Sequence, residues 1–205
     1  MSLVTLNNRA VRSVTTFGSV GNDSMVFIKK LTASSSGTLS FVDGSSNVVL
    51  DSTYKQYMFI FNNIHPATDN TQFQFNLSID SGSNYNVTKT TTYFDAYHDE
   101  ADSATDVRYL ASSDLSQSTN FQPLGISVGN QNDESISGII HIFDPASTTF
   151  VKHFISRSNT YYSADYTVDT HVAGYGNTTS AVDAVQFKFA SGNIDSGTIK
   201  LYGVV

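Results

Sequence analysis

Carboxylates are concentrated in one short stretch of the sequence, residues 95–106. This acidic loop contains Asp95, Asp99, Glu100, Asp102 and Asp106. Hard cations such as Ca²⁺ prefer several converging oxygen ligands, so the stretch is a candidate cation site. It lacks the spacing and the glycine of an EF-hand loop, and a solvated loop is the favoured explanation. We therefore predict no bound metal and no cofactor.

The remaining chemistry-bearing residues do not form a catalytic motif. A glycosidase needs two carboxylates about 5–10 Å apart across a cleft, and nothing pairs Glu100 or Glu134, the only glutamates. The five histidines include no H-x-x-x-H pair, and G-x-S-x-G, P-loop and G-x-G-x-x-G motifs are absent. The runs Ile136–Phe143 and Phe150–Ile155 predict a hairpin, in which His141 and His153 are candidate cross-strand neighbours with a structural role. We predict no catalytic residues and a protein that is not an enzyme.

Tyrosines are the best candidates for ligand contact. Aromatic rings stack on the apolar faces of sugars, and Tyr161 and Tyr162 lie together in a predicted loop rich in Ser and Asn. Trp, the stronger choice for such a platform, is absent. We predict glycan binding at Tyr161 and Tyr162, with packing at the edge of the core as the alternative.

Composition excludes several classes of partner. The formal net charge is −7, which argues against a nucleic-acid groove, because such a groove needs a basic surface. No apolar run approaches the ~18 residues of a membrane-spanning helix, so we expect no membrane insertion. The absence of Cys excludes disulfides and thiolate metal sites.

Strands must position these residues. In the stretch 71–80, Phe73, Phe75, Leu77 and Ile79 alternate with polar residues, which predicts a strand with one buried face. The run Tyr57–Phe61 is apolar on both faces and predicts a central strand, whereas Asp80–Asn84 predicts a hairpin loop. About ten such strands follow one another, although the register within 111–135 is not assigned. The sequence predicts an all-β domain over residues 25–205, an antiparallel β-sandwich of jelly-roll type.

Residues 1–24 differ in pattern from the rest of the chain. Their apolar residues recur at helical spacing, which favours an N-terminal arm or short helix. We predict that this segment docks on a partner; the alternative is a first turn packed on its own sandwich. The predicted docking residues are Leu3, Leu6, Arg9, Val11 and Arg12, with the apolar ones buried and the arginines paired with carboxylates.

Three segments of the sequence show a family resemblance: Ile64–Asn70, Ser81–Thr88 and Ala190–Gly203. They are similar to small virion-associated structural proteins of marine tailed bacteriophages, including phages of cyanobacteria. The resemblance extends from about residue 37 to the C-terminus. It implies a β-sandwich component of the virion, assembled in the host cytoplasm, and it brings no catalytic residues.

Two functions follow as expectations. The first is a non-enzymatic virion structural protein, a capsid-decorating or fibre-like subunit attached through its N-terminal arm. The alternative is a carbohydrate-binding module that recognises the host receptor at a tail fibre or tail tip. The expected partners are other virion proteins and further copies of the chain in a homo-oligomer, for which we predict a trimer. The alternative function adds a host surface glycan.

Overall fold

The computed structural model describes residues 25–205, which form twelve β-strands and no helix. This confirms the predicted antiparallel β-sandwich. The strands are β1 (Met25–Thr32), β2 (Leu39–Val42), β3 (Gln56–Pro66), β4 (Thr71–Ser78), β5 (Lys89–Asp99), β6 (Thr105–Tyr109), β7 (Gln122–Val128), β8 (Ile136–Phe143), β9 (Lys152–Tyr162), β10 (Tyr166–Gly176), β11 (Ala184–Phe189) and β12 (Ile194–Val204).

The strands form two layers joined at one corner. The larger layer has the order β1-β12-β3-β8-β9-β10-β5-β6, and the smaller has the order β7-β4-β11-β2. A single pair, Val128 with Tyr162, connects β7 to β9. The result is a nearly closed, barrel-like sandwich in which every strand pairing is antiparallel.

Aromatic side chains fill the space between the layers. Phe187 of β11 lies at the centre, with ring contacts at 5.5–6.4 Å to Phe41, Phe59, Phe73 and Phe75. The predicted inward residues of β4 are buried as expected, except Ile79, which is 43% exposed. That part of the prediction is wrong because β4 ends at Ser78, one residue earlier.

The sequence placed one connection incorrectly and another correctly. The predicted hairpin across Asp80–Asn84 does not form: β4 pairs with β7 and β11, whereas β5 pairs with β10 and β6. The buried amide of Asn76 donates to the carbonyl of Tyr85 (2.7 Å), so a side chain, and not a ladder between β4 and β5, binds this segment to β4. The predicted hairpin of β8 and β9 is confirmed, as is the central position of β3. The unassigned stretch 111–135 contains β7.

The two layers have outer faces of different character. On the smaller layer most outward side chains are polar, among them Ser40, Gln72, Gln74, Gln186 and Lys188. On the larger layer the outward side chains are mixed, and charged residues such as Arg157, Asp169 and Lys200 lie beside apolar and aromatic ones. We call the apolar and aromatic part of this surface the outer band; its residues are Phe27, Met58, Ile60, Phe94, Tyr109, Ile139, His141, Phe143, Ile155, His171, Ala173, Tyr175 and Tyr202.

Two further expectations concern docking through residues 1–24 and the absence of a membrane-spanning helix. The proposed docking residues in 1–24 lie outside the described residues. Within residues 25–205 there is no helix of sufficient length and apolar character to cross a membrane.

Candidate functional site

The end of the β9–β10 hairpin separates the two candidate tyrosines. Tyr161 and Tyr162 are the last residues of β9, not part of a loop, and Tyr166 begins β10. Successive side chains of a strand point to opposite faces. Tyr161 therefore lies on the outer face of the sheet and Tyr162 on the core side, and each borders a different cavity.

Tyr162 belongs to a tyrosine–arginine pocket of about 250 Å³ on the core side of the hairpin. Its ring meets Tyr166 edge to face at 5.6 Å, and Tyr166 meets Tyr97 of β5 at 5.5 Å. The guanidinium of Arg108 lies 4.8 Å from the centre of the Tyr97 ring. Ala164 and Val168 complete the lining. The pocket therefore combines aromatic rings with one planar cation, held on four segments of the chain.

Arg108 is fixed by a buried carboxylate. Its Nε donates to Oδ1 of Asp95 at 2.7 Å and its Nη2 donates to Oδ2 at 3.2 Å, and Asp95 is fully buried. The hydrogen bond to Asp95 raises the pKa of Arg108 above its usual range. Asp95 accepts hydrogen bonds from two of the five guanidinium N–H groups. The remaining N–H groups can donate to a ligand, in a plane whose orientation the Asp95 contact fixes. Because the two charges balance locally, the pocket suits hydroxyl oxygens better than an anion.

Tyr161 lines a second cavity, of about 270 Å³, on the other side of the hairpin. Its hydroxyl donates to Oε1 of Glu100 at 3.0 Å, and this bond is the main reason that its pKa rises to about 12. The backbone N–H of Glu100 donates to the carbonyl of Asp165 at 2.9 Å, which ties the acidic loop to the hairpin turn. Asn159 and Thr167 add an amide and a hydroxyl.

The acidic loop distributes its carboxylates among separate partners. Asp95 binds Arg108, and Asp99 accepts the N–H groups of Ser103 and Ala104 (both 2.8 Å) and the Ser103 hydroxyl. These bonds, that of the Ser103 side chain first, lower the pKa of Asp99. Asp102 lies 3.2 Å from Nε2 of His98. Among residues 25–205 no three His, Asp or Glu side chains converge as cation ligands would.

The histidines have individual hydrogen-bonding environments. His141 pairs in register with Ile155, so His153 is its diagonal neighbour and not its direct one. Nδ1 of His141 lies 2.6 Å from the Gln56 amide, and partial burial lowers the pKa of His141. Nδ1 of His65 lies 2.7 Å from the carbonyl of Glu134. These contacts tie strands and loops together.

The sequence did not reveal the Arg108–Asp95 pair. The two residues are thirteen positions apart, with the acidic loop between them, and only the β5–β6 register places them side by side. The available signal for this pair was an isolated arginine in a short strand that follows the acidic loop. Tyr97 and Tyr166 were recognisable as tyrosines but not as neighbours of Tyr162.

Comparisons with known proteins give no further guide. No protein-family model, no curated protein and no solved structure matches this chain.

Proposed function

We propose that this protein is a non-enzymatic glycan-binding β-sandwich, of the kind that a bacteriophage tail fibre or tail tip uses to recognise its host. The observation that carries the proposal is the tyrosine–arginine pocket. Three tyrosine rings from β5, β9 and β10 line one pocket with a guanidinium that lies over the Tyr97 ring and that a buried carboxylate holds in place. Its location in a virion is supported by the sequence resemblance alone.

The chemistry of the pocket favours a neutral sugar. A pyranose ring presents C–H groups on its faces and hydroxyls on its rim. Tyr97 and Tyr162 offer rings for the faces, and Arg108 offers N–H donors for the hydroxyls. Strand residues hold all of these groups, so little conformational entropy is lost on binding.

A pair of matched arginine variants tests the proposal. Arg108→Lys removes the bidentate contact with Asp95, so binding to a neutral glycan should weaken about tenfold or more. Arg157→Lys is the control, because Arg157 makes an equivalent bidentate contact with Asp169 (3.0 and 2.9 Å) on the outer face of the sheet. Tyr162→Ala should weaken binding similarly, through loss of ring contact.

The measurement is a glycan array followed by titration calorimetry on the sugars that bind. A chain that binds no glycan, or equal effects of the variants at Arg108 and Arg157, contradicts the proposal. Release of sugar from a bound polysaccharide contradicts its non-enzymatic part.

A second candidate function is a capsid-decorating or fibre-like structural subunit that attaches to other virion proteins through residues 1–24. The outer band favours it, because a monomer in water rarely exposes a wide apolar surface. Virions assembled with the full chain and with a chain lacking residues 1–24 can be compared by mass spectrometry. We expect the shortened chain to be lost from the particles, and its retention would refute attachment through the arm.

A further inference from the structure

We propose that two copies of this chain pack face to face through the outer band. The inference deepens the structural-subunit proposal and rests on it for its biological setting, because it names the first partner of that subunit. Its geometry comes from the strand register and from the exposure of individual side chains.

The register places apolar side chains in continuous rows across the larger layer. One row runs from Phe27 on β1 to Ala173 on β10, through Tyr202, Met58, His141 and Ile155. The next row begins with Lys30 and Lys200 and continues from Ile60 to Tyr109, through Ile139, Arg157, His171 and Phe94, so its apolar side chains are interrupted by the Arg157–Asp169 ion pair. Directly opposite positions on neighbouring strands are in side-chain contact, so the rows form one surface and not scattered exposed residues.

Several of these side chains are exposed in the single chain. Phe27 and Tyr109 are 56% exposed, Ile155 48% and Phe94 44%. The ring of Phe94 stacks on His171 at 4.9 Å and 4°, which leaves a flat aromatic surface toward solvent. Two shallow cavities lie on either side of Ile155, lined mainly by apolar atoms. Water contacts this surface unless another molecule covers it.

The size of the outer face that contains the outer band fits a dimer. Eight strands about 4.8 Å apart span about 34 Å, and three rows of outward positions with their margins span about 20 Å. The product is roughly 700 Å² per copy, close to the roughly 800 Å² that each partner contributes to a standard stable interface. A second identical sheet has the matching outline, and sheets pack face to face in the core of every β-sandwich.

The charges at the two edges of the band complement each other. Lys30 and Lys200 form a register pair at the β1 edge. Asp114 accepts the hydroxyl of Tyr109 at the β6 edge (2.5 Å). A two-fold axis parallel to the strands places the β1 edge of one copy over the β6 edge of the other. That arrangement brings the lysines of each copy toward Asp114 of its partner, and it is isologous, as dimers are.

The first experiment measures the mass of the full-length chain in solution by size exclusion with light scattering, over a range of concentrations. We expect a dimer for the native chain. Ile155→Asp places a carboxylate at the centre of the interface in both copies, so the dissociation constant should rise at least ~100-fold. Gln74→Asp is the matched control on the polar face and should leave the dimer intact.

Each alternative gives a different result. A monomeric native chain overturns the proposal, and so does a dimer that Ile155→Asp leaves unchanged. If residues 1–24 cover the band instead, the native chain is a monomer and Ile155→Asp speeds tryptic cleavage after Arg9 and Arg12. A trimer also overturns the two-fold arrangement. Because Ile155 is half exposed, the variant should fold; Phe94→Ser provides a second test if it does not.

A charge exchange tests the orientation. Lys200→Glu and Asp114→Lys should each weaken the dimer several-fold, and the double variant should recover most of the loss. Additive weakening in the double variant would exclude the proposed axis. These experiments measure the mass of the chain in solution, whereas the structural-subunit proposal is tested by incorporation into particles. A chain that dimerises in solution but is not incorporated would contradict the structural-subunit proposal alone.

Discussion

The two outer faces of the sandwich are built by the same alternation of side chains and yet differ in chemistry. On the smaller layer, Gln74 donates to Gln72 (2.9 Å) and Gln186 donates to Ser40 (2.9 Å). On the larger layer, the corresponding outward positions carry the outer band. A half-buried antiparallel sheet ordinarily shows the first pattern, with its polar face in water. The second pattern departs from this, and the proposed dimer accounts for the difference, because the second copy would cover the outer band.

The difference also extends to how each layer is covered by its own loops. Segments 80–88 and 111–121 fold over the end of the smaller layer and bury a polar network there. Asn76 donates to the carbonyls of Tyr85 and Thr119, and Lys89 donates to Asn76 and to the Val87 carbonyl. The outer band has no comparable loop cover among the described residues. The polar-faced layer thus satisfies its own buried groups, whereas no described segment covers the outer band.

The largest expected effect separates inner from outer aromatic residues. Phe187→Ala removes the ring at the centre of the core and should lower the free energy of unfolding by about 3–5 kcal/mol. Phe94→Ala removes a ring of the outer band and should lower it by less than about 1 kcal/mol at concentrations where the chain is monomeric. Urea unfolding measures both values. Equal losses would mean that the outer band belongs to the fold of the single chain.

A second prediction concerns the polar network of the smaller layer. Lys89 is fully buried, and burial lowers its pKa to about 7. Between pH 7 and about 10.4, the unfolded value, the unfolded chain holds a proton that the folded chain lacks. Stability should therefore rise with pH across this window, by up to about 1.4 kcal/mol per pH unit.

Lys89→Met should remove that slope, because it keeps a long apolar stem and loses the titrating amine. Lys55→Met, at an exposed position just before β3 and outside the outer band, is the matched control. Urea unfolding at about pH 7.5 and about pH 9.5 measures the slope for each variant. Both values lie between the folded and the unfolded pKa of Lys89. An unchanged slope in Lys89→Met would show that another group causes the pH dependence.

Local pattern was sufficient to predict the fold class but not the pairing of distant strands. Phe73, Phe75 and Leu77 were identifiable as inward residues because strand periodicity depends only on neighbours in sequence. The partners of β4 were not, because the hairpin signal at Asp80–Asn84 was overridden by long-range contacts such as that of Asn76 with Thr119.

The candidate site shows the same limit. Tyr161 and Tyr162 were identifiable by residue type, and both border cavities. Their separation onto opposite faces follows from strand geometry once β9 is known to include them. The pairing of Arg108 with Asp95 depends on the β5–β6 register, which no local signal in the sequence specified. Residue types therefore predict the kind of contact, and only the register predicts which groups meet.

The smallest expected effect tests whether apolar character alone creates an interface. Gln74→Leu places an apolar side chain on the polar face and removes the hydrogen bond to Gln72, which is replaceable by water. The free energy of unfolding should change by less than about 0.5 kcal/mol. Light scattering should show no new association through this face, because one leucine among Gln72, Gln186 and Lys188 gives no continuous apolar rows. New self-association of this variant would mean that a single exposed apolar side chain is enough to create an interface. The continuous rows of the outer band would then not be what distinguishes the two faces.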